Sequence, residues 1–174
     1  MAIELQSFLE VVEDSYSAYY NIIKEDLPSD LPIAFRADYY QRGEQYWLMK
    51  SIPIWGNETN EFAYVFCSKS FDGEMVDKCI NYALEEGLPR VKPHKEHQYT
   101  NIKTIFLADE FSDEAVKKIK KSNFSKSYNH SLWGFTNLIV CGADVDNEKV
   151  HANKYANGMP AYFKKLFAAQ HKDS

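Results

Sequence analysis

A chain of 174 residues is the length of one domain, long enough to bury roughly two thirds of its unfolded surface in a single core. Apolar residues make up 45%, and twelve Tyr, eleven Phe and three Trp raise the aromatic share, which suits half-buried sheet surfaces and argues against disorder on any large scale. The net charge of -5, from 25 acidic and 20 basic side chains, disfavours a dedicated nucleic-acid binder, whose affinity rests on phosphate neutralisation; a local basic patch stays open.

The N-terminal stretch MAIELQSFLEVVEDSYS has no cationic start followed by an apolar run, so no secretion signal is evident, and no uncharged apolar stretch approaches the ~20 residues that cross a bilayer. Cys67, Cys79 and Cys141 are odd in number, widely spaced and embedded in apolar sequence. That pattern reads as reduced, buried thiols in a cytoplasmic setting rather than a disulfide framework. The expectation is a soluble protein without membrane contact.

In chain order, Leu5, Phe8, Leu9, Val12, Tyr16, Tyr19, Tyr20 and Ile23 recur at the spacing of one helical face, and Pro28 and Pro32 close the helix in a polar loop. Ile33 to Tyr39 alternates as a strand. Gln41-Arg42-Gly43-Glu44 turns it into a second strand at Tyr46 to Met49, and Phe62 to Cys67 makes the third strand of a meander. Met75, Val76, Cys79, Ile80, Ala83 and Leu84 then form a helical stripe that stops at Gly87, with Pro89 just beyond. Ile102 to Leu107 is a fourth strand. Ser112 is placed to cap a third helix whose first turn carries Asp113 and Glu114 and whose later turns carry lysines, as the helix dipole prefers. Gly134 to Ala143 is a near-continuous apolar strand, Asp146-Asn147 turns it into Lys149 to Ala152, and Pro160 opens a last helix. The pattern predicts one α+β domain spanning 1–174, an antiparallel or mixed twisted sheet of five to six strands flanked by four helices, in the order α-βββ-α-β-α-β-β-α. No internal repeat is visible.

No constellation of residues dictates a chemistry, so each candidate is weighed against a structural role. His94 and His97, with Glu96 between them, could hold a metal only with a further ligand from elsewhere, and HxxH after Pro93 lacks the helical frame of HExxH, so a solvated loop is the favoured reading. The order α-βββ-α-β is also that of restriction-endonuclease-like nucleases, which need an acidic residue on the second strand and an acidic-x-Lys triplet on the third. Here the triplet position reads Cys67-Ser68-Lys69 and Asp38 falls on the first predicted strand, so the topology matches with the chemistry missing. Lys117, Lys118, Lys120, Lys121 and Lys126, near Phe124 and Tyr128, are placed to contact phosphate, although a helix with so thin an apolar stripe needs a solvated face in any case. No GxSxG elbow, phosphate-cradling glycine loop or GxGxxG motif is present. Trp47, Trp55 and Trp133, with Tyr39, Tyr40, Tyr46 and Tyr64, offer either core pairs or an aromatic binding face.

His97 and Tyr99 before the fourth strand, Phe124-Ser125-Lys126 with Tyr128, Gly134-Phe135, and Val150 to Asn153 with Gly158 together resemble a bacterial family of small proteins known only as a domain of unknown function. The resemblance covers the C-terminal half from Val91, and the family more often has Gly-Trp where this chain has Gly134-Phe135. It implies a bacterial cytoplasmic protein and no mechanism. The reading is then a non-catalytic domain, without cofactor or metal, acting through a protein partner or as a homo-oligomer; the competing class is an inactive or divergent nuclease-like domain. Asp38, Lys69, Glu96, His97, Tyr99 and Trp133 are the candidates for a cleft or surface site, and convergence of Asp38, Lys69, Glu96 and His97 on one pocket would favour an enzyme.

Overall fold

The computed structural model describes residues 2–41 and 58–172. The predicted turn at Arg42 to Glu44, the strand Tyr46 to Met49, and Trp47 and Trp55 lie outside the described residues. Helix α1 (Leu5–Ser17) is followed by strands β1 (Asn21–Ile23), β2 (Ile33–Gln41), β3 (Glu58–Cys67) and the short β4 (Ser70–Phe71). Helix α2 (Gly73–Gly87) leads to β5 (His97–Ala108) and the short β6 (Glu110–Phe111). Helix α3 (Asp113–Lys121), β7 (Ser125–Ser127), β8 (Phe135–Asp144), β9 (Lys149–Ala152) and α4 (Met159–Gln170) complete the chain. The α+β class and the four helices are as the sequence predicts.

Two boundaries and one cap differ. Helix α1 stops at Ser17 instead of running to Ile23: the amides of Tyr19 and Tyr20 both bond the Tyr16 carbonyl, and Asn21–Ile23 then pairs with Arg36–Asp38 of β2. Tyr20, whose spacing continues the helical face, and Ile22 pack against this core from the strand side. Strand β5 starts at His97, ahead of its apolar run. Gly87 ends α2 without a left-handed turn, at φ -80°; it is needed for space, since a Cβ there would sit 3.0 Å from Ile102 Cδ1 and 3.2 Å from the Tyr64 hydroxyl.

The main sheet has the order β1-β2-β3-β5-β8-β7, with β9 also on β8. β1 and β3 each pair antiparallel with β2; β3, β5 and β8 are parallel. These parallel strands carry the longest apolar runs, as strands covered on both faces do. α1 and α4 cover one face, where Phe8, Val12, Phe163 and Phe167 meet Ala63, Val65, Ile105 and Cys141. α2 and α3 cover the other, where Val76, Cys79, Ala83, Ala115 and Ile119 meet Phe62, Phe66, Phe106 and Val140.

Two consecutive strand-helix units lie side by side in register. From Thr59 to Cys67 each residue of β3 faces the residue forty positions later in β5. The spacing continues through the two-stranded sheet, where Ser70 faces Glu110 and Phe71 faces Phe111, and into the helix caps Asp72 and Ser112. Equivalent rings stack on each other, Phe66 on Phe106 at 5.6 Å and Phe71 on Phe111 at 5.8 Å. This tandem arrangement is absent from a reading of apolar spacing because few side chains outside the two phenylalanine positions are shared between the units.

β7 and β9 occupy opposite ends of one edge of β8, and the Asn153 side chain fills the gap between them. Its Oδ1 accepts the Val140 amide at 3.1 Å, and its Nδ2 donates to the carbonyls of Leu138 at 2.8 Å and Ser122 at 3.1 Å. A side-chain amide thus completes the ladder where no strand does.

Candidate functional site

The six candidate residues do not converge. Lys69 is exposed beyond the C-terminal end of β3, whereas His97 opens β5 at the opposite end of the sheet. Glu96 is exposed beside His97, and Asp38 lies on β2, facing Phe62. His97 and Trp133 are the two that the fold joins, through the Trp133 carbonyl, while Tyr99 stacks on the adjoining Phe135.

Their site is built by the loop Tyr128–Gly134, which joins β7 to β8. Asn129, His130 and Ser131 are successive left-handed residues, with φ of 46°, 53° and 68°, and Gly134 follows at 75°. Such conformations cost non-glycine residues about 1 kcal/mol or more each and persist only where surroundings over-determine them. The surroundings here are specific. The Leu132 amide bonds the Asn129 carbonyl at 3.0 Å, the Trp133 amide bonds Tyr128 at 3.2 Å, and the Tyr128 amide bonds Gly134 at 3.0 Å. Gly134 runs so close to β5 that a Cβ would fall 2.2 Å from the Gln98 carbonyl oxygen.

His97 is the anchor. Its Nδ1 lies 2.7 Å from the Trp133 carbonyl oxygen, which only accepts, so Nδ1 carries the hydrogen; Nε2 is 2.8 Å from the Thr100 hydroxyl. Both ring nitrogens of this buried histidine are therefore engaged, and neither is free to hold a metal. His94 is tied separately, its Nε2 2.8 Å from a Glu58 carboxylate oxygen. Among the described residues no group of three or more His, Cys, Asp or Glu side chains is arranged to hold a metal ion.

This anchoring displays apolar side chains outward. Leu132 is 73% exposed, Phe135 39% and Trp133 37%, and the Phe135 ring stacks on Tyr99 at 5.9 Å. The sequence reading found Trp133 and Tyr99 but missed Leu132 and the loop geometry. The available signal was Asn129-His130 ahead of Gly134, since Asn and His are enriched in left-handed conformation.

Asp38 serves a different structure. It pairs with Arg90, which also reaches Glu86 at 3.2 Å, while Glu86 holds Arg36 at 2.9 Å and accepts from the Tyr64 hydroxyl. Burial alone would lower the Arg90 pKa, but Asp38 and Glu86 beside it raise it. The guanidinium also covers the Phe62 ring at 3.9 Å, so the network pins the end of α2 to β2 and β3. With β1 counted, Asp38 stands on the second antiparallel strand instead of the first, the position a nuclease needs, but its carboxylate is committed to arginines and Lys69 lies beyond the end of β3.

The remaining singled-out groups have ordinary places. Tyr64 is fully buried, and Tyr39 packs on Tyr20. The three cysteines are unpaired; burial raises Cys67 to about 11 and Cys79 and Cys141 to about 12, which leaves them as inert thiols. Lys118 is ion-paired with Asp77 across to α2. A cavity of about 670 Å³ opens at the C-terminal ends of β3 and β5, lined by Leu31, Ser68, Ser70, Phe71, Glu110 and Phe111 among others. It contains none of the six candidates and no cationic side chain. Among the described residues, no helix is long and apolar enough to cross a membrane.

A family model described as a domain of unknown function, DUF8052, matches residues 4–165, so the likeness extends over nearly the whole chain and not the C-terminal half alone. No curated protein and no solved structure matches.

Proposed function

We propose that this chain, which belongs to the DUF8052 family of unknown function, is a non-catalytic bacterial cytoplasmic domain that binds a protein partner on the loop Tyr128–Gly134. The observation that carries this reading is the combination of exposed Leu132, Trp133 and Phe135 with a backbone held left-handed at three successive non-glycine residues. Strain maintained by a buried histidine anchor, in a loop that shows apolar side chains to solvent, fits a pre-organised docking element better than a packing need. Three high-pKa free thiols suit a reducing compartment.

A selection of displayed random peptides tests the reading. Clones retained by the wild type should bind at least tenfold more weakly to the double variant Leu132→Ser/Trp133→Ser, checked by circular dichroism to be folded. Clones that bind both proteins equally, or no enrichment at all, overturn it.

A further inference from the structure

We infer that the outer edge of β7 is a strand-addition site for an extended segment of a partner protein in which apolar and acidic side chains alternate; this rests on the docking role of the neighbouring loop. The Leu138 amide bonds the Phe124 carbonyl at 3.0 Å and the Tyr128 amide bonds that of Gly134 at 3.0 Å. In an antiparallel ladder, residues between such pairs turn their backbone groups the other way. Ser125 and Ser127 therefore direct N–H and C=O away from β8, where no described strand pairs with them.

A strand laid along this edge would send successive side chains to opposite faces, and the two faces are chemically unlike. On one, Ser127 stands beside Phe135 and its stacked neighbour Tyr99. On the other are Lys126 and helix α3, whose Ala115 and Ile119 pack on Leu138 and Val140 of that same face. Lys120 and Lys121 are exposed at the end of α3 and have no carboxylate partner among the described residues, in contrast to Lys118. An added strand would thus meet lysines on one face of the sheet and aromatic rings on the other. Short edge strands bearing lysine ordinarily resist pairing. An acidic partner converts that lysine from a deterrent into a selector, whereas antiparallel pairing with a second copy centred on this edge would set Lys126 against Lys126.

The test uses a fluorescent nine-residue peptide alternating Val or Phe with Glu, and a control of the same composition with the two classes segregated. Fluorescence anisotropy should show the alternating probe binding at least tenfold tighter than the control. Ser127→Pro removes an outward N–H without touching the bonds to β8, and Lys126→Glu reverses the charge; each should weaken binding tenfold or more at unchanged melting temperature. Undiminished binding by Ser127→Pro overturns strand addition. If Leu132→Ser/Trp133→Ser also abolishes binding in that case, the docking loop stands and only the edge fails. If Ser127→Pro abolishes binding and the loop variant does not, the edge stands and the loop reading fails. Sedimentation as a dimer that Ser127→Pro dissolves would assign the edge to a second copy and overturn the proposal.

Discussion

The unit β3-β4-α2 and the unit β5-β6-α3 share one strand register and one capping geometry, yet they finish differently. Asp72 Oδ1 accepts the Met75 amide at 2.8 Å and Ser112 Oγ accepts the Ala115 amide at 3.1 Å, so both helices start alike. Helix α2 then runs 15 residues, burying Val76, Cys79, Ile80 and Ala83, and its end is fixed by Arg90 and Glu86. Helix α3 runs nine residues and buries Ala115 and Ile119. The early stop releases the chain in time to form β7 and the docking loop. One unit closes the core and its neighbour, built on the same opening, gives up helix length for an exposed edge.

The largest test of this pairing is Phe106→Ala, which should lower stability by about 3–5 kcal/mol in urea unfolding. It should exceed Phe66→Ala, because the Phe106 ring meets Phe66 at 5.6 Å and Phe71 at 5.1 Å while the second ring on Phe66, Tyr82, stands off at 6.5 Å; equal losses would break the picture of Phe106 as the hinge between units. Next, Ile119→Ala should cost about 2–4 kcal/mol, since it is the one large side chain that α3 buries. Its counterpart Cys79→Ala should cost less, a thiol being smaller and α2 having other anchors.

Asp72→Ala and Ser112→Ala should each cost about 1 kcal/mol, read by thermal melting. A double variant that loses the sum would show two independent caps; a smaller loss would show that the joined loops share their cost. The smallest effect separates the ends of the tandem. His151, against the edge of Phe111 at 5.8 Å, has its pKa lowered by burial and by Lys120. Below about pH 6.5 the unfolded chain takes up the proton before the folded one, so stability falls on acidification and is recovered above that pH. His151→Gln should flatten the melting temperature between pH 7.5 and 5.5; an unchanged slope would remove His151 from that dependence.

The helices and long strands were legible because their apolar periods are unbroken, as in Met75 to Leu84 and Leu138 to Ala143. Parallel pairing of β3, β5 and β8 was obscured because a continuous apolar run does not state its partner's direction. β7 could not be seen: Ser125-Lys126-Ser127 has no apolar residue, and its strand conformation comes from pairing with β8. α1 was overextended because Tyr19, Tyr20 and Ile23 keep helical spacing by coincidence while Tyr20 and Ile22 serve the sheet. At the candidate site, the grouping of His97 with Trp133 depends on a backbone carbonyl, a contact that no side-chain pattern encodes. Asp38 stood out as a candidate because its main partner, Arg90, lies 52 positions away.

The left-handed turn at Asn129, His130 and Ser131 is a fragment of mirror-image backbone inside an ordinary protein. Chirality there runs against the chain that carries it. In a chemically synthesised version, D-amino acids at these three positions would relieve the turn by about 1–2 kcal/mol per residue, where the same exchange inside α2 would disrupt the helix. Valine, isoleucine and threonine have no comfortable place in it. The alphabet open to this surface is therefore set by handedness before it is set by any partner.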